Sequence, residues 1–421
     1  MADLKDKYIT RIEGHGKIDI DFNNSKVKLH IDEGERLFEG LLVNRPFEDA
    51  PHITSRICGV CPTSHLLASI KAIESAFGVQ PTETTILLRK LLLAAQICQS
   101  HTLHLYFLAA PDYLRLKGSV EMYEKTPDIF KTGLKLKNLF DKVIEVVGGR
   151  AVHPLTPEVG GFTKVPTKHQ LFLLREDLED CLDQAYETIK MFYGFSYPDI
   201  TRDVEMMALR NDESYPHYDG IIWTSEGVGF APSNYQNEIG EYLVPYSTAK
   251  FGARKINGKI ANGFICGARA RMGLFADYLN PRTGQIVSEL KLKMGSYNPF
   301  FNNIAQAVEI SHFIEEAILI IDRLSLIIDS HRNVEINTKA SIGVGAVEAP
   351  RGLLYHKYEF DGKGLIRNVD IITPTVQNLT SIENDIKEFL IQNHSLDREK
   401  KLKIIEMLIR AFDPCITCSV H

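Results

Sequence analysis

Two cysteine pairs stand near opposite ends of the chain, in Arg56-Ile57-Cys58-Gly59-Val60-Cys61 and in Asp413-Pro414-Cys415-Ile416-Thr417-Cys418. Two intervening residues let both sulfurs of a pair turn to the same side and reach one metal. Thiolates are soft ligands that suit zinc, nickel, copper(I) and iron–sulfur centres. A thioredoxin-like redox pair is another reading of the first, but the βαβ pattern around such a pair is missing. A structural zinc with four cysteine ligands is the plainest reading of the two together. Zinc ribbons close short loops, whereas nearly all of the 421 residues separate these pairs. A shared site would therefore lie at the heart of the fold. On the pairs alone, structural zinc and a catalytic metal both stay open.

The remaining cysteines, Cys98, Cys181 and Cys266, are isolated and read as buried packing residues. Seven cysteines form no disulfide framework, and a reducing compartment favours metal or catalytic use of the paired ones. His101 and His104 have helical i, i+3 spacing and read as core histidines before a metal pair. The formal net charge is -6, with no basic stripe for nucleic acid and no acidic tail. The start, MADLKDKYITRIEGHG, lacks the apolar core of a secretory signal. The most apolar stretch, Ile86 to Ala110, carries Arg89, Lys90, Gln96, Gln99, His101 and His104, so it reads as a buried helix and not a membrane span. The expectation is a cytoplasmic protein.

Bringing distant pairs together requires a large scaffold. Period-two runs over residues 17–22 and 26–31, split by Asn23-Asn24-Ser25, predict a β-hairpin. Ser64 is expected to cap a helix over residues 65–77, ended by Gly78. Helices are expected at about 82–110, 131–147, 167–194, 302–330, 380–393 and 397–412. Residues 200–270 change character and predict short strands, as do 338–376 around Gly343-Val344-Gly345. The expected fold is mainly α with β excursions (α+β): a large helical-bundle core, an N-terminal β region over about 1–35 and peripheral short sheets. We expect a single domain over 1–421 with a metal-binding tail over 413–421.

The residues flanking the cysteines resemble a known family. Arg11-Ile12-Glu13-Gly14-His15, the first cysteine motif with His65, Gly148-Gly149-Arg150 with His153-Pro154, Glu348-Ala349-Pro350-Arg351-Gly352, and Asp413-Pro414-Cys415-x-x-Cys418-x-x-His421 match the nickel–iron hydrogenase large subunit in order and from end to end. The resemblance implies four cysteine ligands: Cys58 and Cys415 to nickel alone, Cys61 and Cys418 bridging nickel to an iron that also carries CO and cyanide. It implies heterolytic cleavage of H2, with Cys415 taking the proton and Glu13 relaying it. A carboxyl drawn from water keeps a proton more readily, which suits a shuttle. Without the motifs, Glu13 reads as a surface partner of Arg11.

Arg351 matches a guanidinium suspended over the metals, which would orient cyanide, position H2 or act as a base; arginine normally stays protonated, so an electrostatic role is the default. Pro374 and Thr375 match a loop packed around the cyanides, Thr375 otherwise being an ordinary strand residue. His65 matches a donor to a bridging thiolate, and is otherwise a helix N-terminal histidine. Glu39, His421 and the carbonyl of Ile371 match ligands of a buried Mg2+ or another divalent ion. Ending at His421 is what a chain processed after nickel loading would show, and equally what a gene stopping there would show. Ser100 stands where many membrane-bound relatives carry Asp; Asp413 retains the other carboxylate. With the short length, this resembles the cytoplasmic, cofactor-linked (group 3) branch. No cysteine cluster remains for an iron–sulfur centre here, so the resemblance implies an iron–sulfur small subunit and diaphorase subunits linked to flavin and NAD(P) or to ferredoxin. The competing readings are a complex I-related subunit without Ni–Fe chemistry, against which the retained cysteines argue, and a zinc-stabilised structural protein.

Overall fold

The computed structural model describes residues 4–421, so residues 1–3 of the expected β region lie outside it. Three antiparallel strands open the chain: β1 (Leu4–Tyr8), β2 (Gly16–Asp21) and β3 (Lys26–Ile31). The β2–β3 hairpin is closed by Asp21, whose carboxylate accepts from the backbone of Asn23 and Asn24 at 3.0 Å and from the Asn24 amide at 2.7 Å. Ile18, Ile20, Leu29 and Ile31 face inward and pack on Ile382, Ile386 and Leu408. β1 is a third strand that sequence patterning did not predict.

Helices dominate the rest. Helix α1 (Pro62–Phe77) begins at Cys61, with Pro62 at the first helical position and Gly78 (φ 73°) as its stop. Ser64, expected as the cap, lies inside α1; its N–H and hydroxyl both donate to Gln96 Oε1, at 2.7 and 2.8 Å. Proline at the first turn makes the cap position, Cys61, fall three residues earlier than a serine-based reading places it. Helix α2 (Glu83–Thr102) is capped by Thr82, runs into a π-helical turn at Leu103–Ala109 and ends in a short helix at Ala110–Tyr113. Helix α3 (Pro127–Gly148) ends at Gly149 (φ 80°).

The helix expected over 167–194 is two, α4 (Lys168–Glu179) and α5 (Leu182–Tyr193). Leu171, Leu174, Leu178, Cys181, Ala185 and Ile189 are all buried. The apolar stripe keeps its phase across the loosened turn, so periodicity cannot reveal the break. Two strands, β4 (Glu205–Arg210) and β5 (Ile221–Thr224), pair antiparallel, followed by helix α6 (Ala268–Phe275). Helix α7 (Phe301–Ile327) runs through the centre, packed by α2, α4, α5 and α6. Each Ile or Leu buried along it, such as Ile310, Ile314 and Ile321, contributes about 1.5–3 kcal/mol.

A three-stranded sheet follows: β6 (Ser341–Ala349), β7 (Gly352–Phe360) and β8 (Ile366–Ile372). Gly343 and Gly345 let β6 lie directly on α1. A Cβ at Gly345 would stand 2.2 Å from the Ala68 carbonyl, and one at Gly343 2.0 Å from that of Ala72. This contact fixes the position of the helix that starts at Cys61. Helices α8 (Pro374–Gln392) and α9 (Arg398–Ala411) complete the scaffold, and Asp413 (φ 51°) turns the tail back inward. No helix among the described residues is long and apolar enough to cross a membrane.

Candidate metal centre

The two cysteine pairs meet. Cys58 and Cys61 lie on the turn before α1, where the backbone N–H groups of Val60 and Cys61 point at Cys58 Sγ, at 3.2 and 3.4 Å. Cys415 and Cys418 lie on the returning tail, which is pinned when Ile416 N–H donates to Glu13 O at 3.0 Å. Sγ separations are 3.3 Å for Cys58–Cys415, 3.3 Å for Cys61–Cys418 and 3.0 Å for Cys415–Cys418. All four sulfurs lie within 4.8 Å of one another and are buried. Burial and its sulfur neighbours push the Cys415 thiol well up, while hydrogen bonds from Cys415 and Cys418 pull Cys58 well down. Four thiolates this close ionise together only around a cation.

One side chain ties the two pairs. The Arg36 guanidinium donates to the Ile57 carbonyl at 2.6 Å and to the Thr417 carbonyl, and the Arg36 backbone N–H donates to Val420 O at 3.0 Å. On the other flank, His153 (φ 56°) places Nδ1 2.9 Å from the Ser55 carbonyl, so the loop after Gly149 braces the Cys58 turn.

Glu13 reaches the sulfurs from β-sheet side. Cys415 Sγ lies 3.0 Å from Glu13 Oε2, which also accepts from Thr417 N–H at 3.0 Å, and the Thr417 hydroxyl donates to Oε1. Arg11 does not pair with Glu13: it donates to Leu108 O at 2.9 Å and to Asp112. Gly14 (φ 81°) is required between them, because a Cβ there would stand 2.7 Å from Ile416 Cβ.

Arg351 occupies the two-residue turn between β6 and β7. It donates from Nε to the Asp413 carbonyl at 2.5 Å, from Nη2 to Asp413 Oδ1 at 2.7 Å and from Nη1 to Ser100 Oγ at 3.1 Å. Against the cost of burial, Asp413 and the nearby Cys415, Cys61 and Cys58 hold the guanidinium firmly charged. Gln306 donates to the other Asp413 oxygen at 3.1 Å, and Gln306 Oε1 meets His104 at 2.5 Å. His101 and His104 thus serve separate partners, Glu309 and Gln306. Cys266 Sγ sits 3.7 Å from the Arg351 carbonyl.

His65 Nε2 is 3.8 Å from Cys418 Sγ, and its Nδ1 is 3.2 Å from His356 Nε2. Burial pushes its pKa down to about 3, so the ring is neutral. Pro374 and Thr375 are not in a loop; they open α8, after Thr373 at the cap position. Proline after β8 starts the helix because its missing N–H is not needed there. Thr375 Oγ1 accepts from Cys415 N–H at 3.0 Å.

Behind the tail, Glu39 Oε1 accepts from Ile371 N–H at 2.8 Å, and His421 Nε2 lies 2.8 Å from Ile371 O. Glu39 and His421 border a cavity of about 230 Å3 also lined by Glu241 and Lys250. Glu241 pairs with Lys250 at 3.1 Å, while burial raises its pKa and leaves Oε1 without a protein partner. Sequence reasoning missed Glu241 and Arg36, which carry no local motif.

Comparison with known proteins decides between zinc and a redox metal. The model of the nickel-dependent hydrogenase family matches residues 36–132 and 302–421, and a HoxL-like model matches residues 7–33. The sulfhydrogenase 1 alpha subunit of Pyrococcus furiosus is 34% identical over 420 residues, covering 98% of this chain and 96% of that one. This chain belongs to the nickel-dependent hydrogenases, as a nickel–iron large, catalytic subunit. The NAD-reducing hydrogenase HoxS beta subunit of Cupriavidus necator is 28% identical, covering 98% of this chain and 93% of its own. A crystal structure of an NAD+-reducing [NiFe]-hydrogenase in the H2-reduced state superimposes with a TM-score of 0.88, 25% identity and complete coverage of both chains. For this hydrogenase subunit, the buried four-sulfur box is the Ni–Fe site. The donor set fits: soft thiolates, drawn from both ends of the chain and shielded from water, suit a redox-active metal.

Proposed function

We propose that this chain cleaves H2 reversibly in the cytoplasm, on a Ni–Fe centre whose iron carries two cyanides and one CO. The carrying observation is the convergence of Cys58, Cys61, Cys415 and Cys418 on one point, with Glu13 against Cys415. When bound, such a centre supplies heterolytic splitting of H2 and takes up its electrons. The protein's own residues handle the proton. Cys415 Sγ passes it over a 3.0 Å contact to Glu13, and the Thr417 hydroxyl holds the carboxylate's other oxygen in place. Arg351, fixed by Asp413 and Ser100, keeps one positive charge beside the sulfurs. Neutral His65 directs Nε2 at Cys418. Pro374 and Thr375 would pack around the cyanides of the iron, and Thr375 fixes the Cys415 backbone. Cys58 and Cys415 would hold nickel alone, and Cys61 and Cys418 would hold nickel and iron together, supplying the soft thiolates a redox-active centre needs.

Glu39 and His421, which line the cavity, and the Ile371 carbonyl offer two oxygens and one imidazole nitrogen, a donor set for Mg2+ or another divalent ion. Leu37 and Val152 are exposed apolar residues next to Arg36 and His153, which hold the Cys58 turn. We read this apolar surface as the seat of an iron–sulfur small subunit, which takes the electrons towards diaphorase subunits linked to NAD(P) or ferredoxin. Seven free thiols suit a reducing compartment. The test is metal analysis with infrared spectroscopy of the matured complex. Equimolar nickel and iron with CO and cyanide bands are expected; one zinc and no such bands would overturn the reading.

A further inference from the structure

Arg351 rests on three supports, the hairpin turn that carries it, Asp413 on the returning tail and the α2 segment that receives Nη1, and a single buried carboxylate is tied to the first and the last. On the turn side, Arg271 of α6 is fully buried and grips Glu309 of α7 with two parallel bonds, Nε to Oε1 and Nη2 to Oε2, each 2.6 Å. Its Nη1 donates to Glu348 Oε2 at 2.8 Å. The remaining bonds go to the turn itself: Nη1 to the Ala349 carbonyl at 3.1 Å and Nη2 to the Pro350 carbonyl at 3.2 Å. Pro350 is the residue before Arg351. On the α2 side, Glu309 Oε2 lies 2.7 Å from His101 Nε2, and the neighbouring Ser100 takes Arg351 Nη1. Tyr215 donates its hydroxyl to Glu309 Oε1 at 2.7 Å. The start of α6 also touches the turn: a Cβ at Gly267 would stand 2.8 Å from the Arg351 carbonyl.

A buried arginine with two carboxylates is a costly way to hold a fold. Desolvation offsets most of the attraction, and well-packed apolar residues commonly serve as well or better. What apolar residues lack is direction: a guanidinium fork fixes its partners in a plane, to within tenths of an ångström. We infer that Arg271 is a positioning residue: with Glu309 it fixes the Ala349–Pro350 carbonyls and the Ser100–His101 step, and so sets where the Arg351 guanidinium stands. This rests on the reading of Arg351 given above.

The matured complex tests it, as a double-mutant cycle of Arg271→Lys, Arg351→Lys and both. Lysine keeps the charge at 271 but cannot span Glu309 and two carbonyls. Nickel content, kcat, KM for H2 and the infrared bands of the diatomic ligands are measured. Misplacing a positioned group by about 1 Å costs up to about 100-fold in rate. We therefore expect nickel-loaded Arg271→Lys to lose about tenfold or more in kcat with little change in KM, and to shift the infrared bands as Arg351→Lys does. In the Arg351→Lys background it should add nothing further. The same loss in both backgrounds, as a general structural role would give, overturns the proposal. Unchanged kcat and bands in nickel-loaded Arg271→Lys, with Arg351→Lys impaired, overturn it alone. An unaffected Arg351→Lys sinks the reading of Arg351 and this proposal together. If Arg271→Lys fails to load nickel, Tyr215→Phe, which removes one donor from Glu309, takes its place in the cycle: non-additivity with Arg351→Lys supports the proposal and additivity overturns it.

Discussion

Glu13→Gln isolates the proton step from everything else the site does. Glutamine has nearly the same shape, and its amide oxygen can still accept from Thr417 N–H, as Glu13 Oε2 does at 3.0 Å. The hydrogen bond lost beside the Thr417 hydroxyl costs about 1 kcal/mol of local stability, too little to release the tail. The Cys415 contact is altered in kind: an amide oxygen facing Sγ has negligible basicity and cannot carry the proton on. Positioned proton transfer contributes about 10²- to 10⁴-fold to rate. The matured variant should therefore keep its nickel, iron and infrared spectrum while isotope exchange between D2 and water falls by about 100-fold or more. Glu13→Asp, one methylene shorter, should recover part of the loss. Exchange within about twofold of the parent enzyme, in a variant with full metal content, would remove Glu13 from the proton path and refute the reasoning.

Further outcomes follow from the supports. Arg36→Ala removes charge-assisted bonds to Ile57 O and Thr417 O, each contributing about 1.5–3 kcal/mol, so nickel should leave faster under chelator challenge; an unchanged release rate would show that the clamp does not hold the tail. Gly345→Ala drives a methyl into the Ala68 carbonyl and should lower stability by at least about 1–3 kcal/mol, visible as a reduced melting temperature and poorer metal loading. Glu383 is half-buried and accepts from the Tyr246 hydroxyl and the Leu29 N–H, and desolvation raises its pKa from 4.5 to about 7. The folded state then binds the proton more tightly than the unfolded chain. The stability this provides is full below about pH 4.5 and is lost as pH rises through about 7. The rise from 4.5 to about 7, at 1.36 kcal/mol for each tenfold change in proton affinity, sets about 3.4 kcal/mol as the upper size of the effect. Glu383→Gln should flatten that part of the pH–stability curve, measured by denaturant unfolding from pH 4 to 8; parallel curves would contradict it.

The parts of the molecule legible in the sequence are those where local pattern and physics coincide. The β2–β3 hairpin was readable because alternation and Asn-rich turn chemistry agree, and α1 and α3 because apolar period and glycine stops agree. The break between α4 and α5 was hidden because Cys181 keeps the stripe in phase. The short helix α6 has charged Arg269 and Arg271 on buried positions, so no amphipathic pattern marks it; its arginines answer to Asp385, Glu309 and Glu348, far away in sequence. At the site, the cysteine pairs were visible from spacing, and Glu13, Arg351 and His65 from the motifs around them. Arg36 was invisible because it acts on backbone carbonyls, which every residue has, and Arg271 because its carboxylate partners lie far away in sequence. Thr375 was expected in a loop on the resemblance alone, whereas Pro374 at the first helical position starts α8 there.

The central claim is that sulfurs from both ends of the chain hold one nickel. Anomalous X-ray diffraction from crystals of the matured complex, recorded on either side of the nickel absorption edge, tests it most directly. The account predicts a nickel peak enclosed by Cys58, Cys61, Cys415 and Cys418 Sγ, with iron as a second peak beside Cys61 and Cys418. A nickel peak elsewhere in the chain, or a single zinc signal between the four sulfurs, would contradict it.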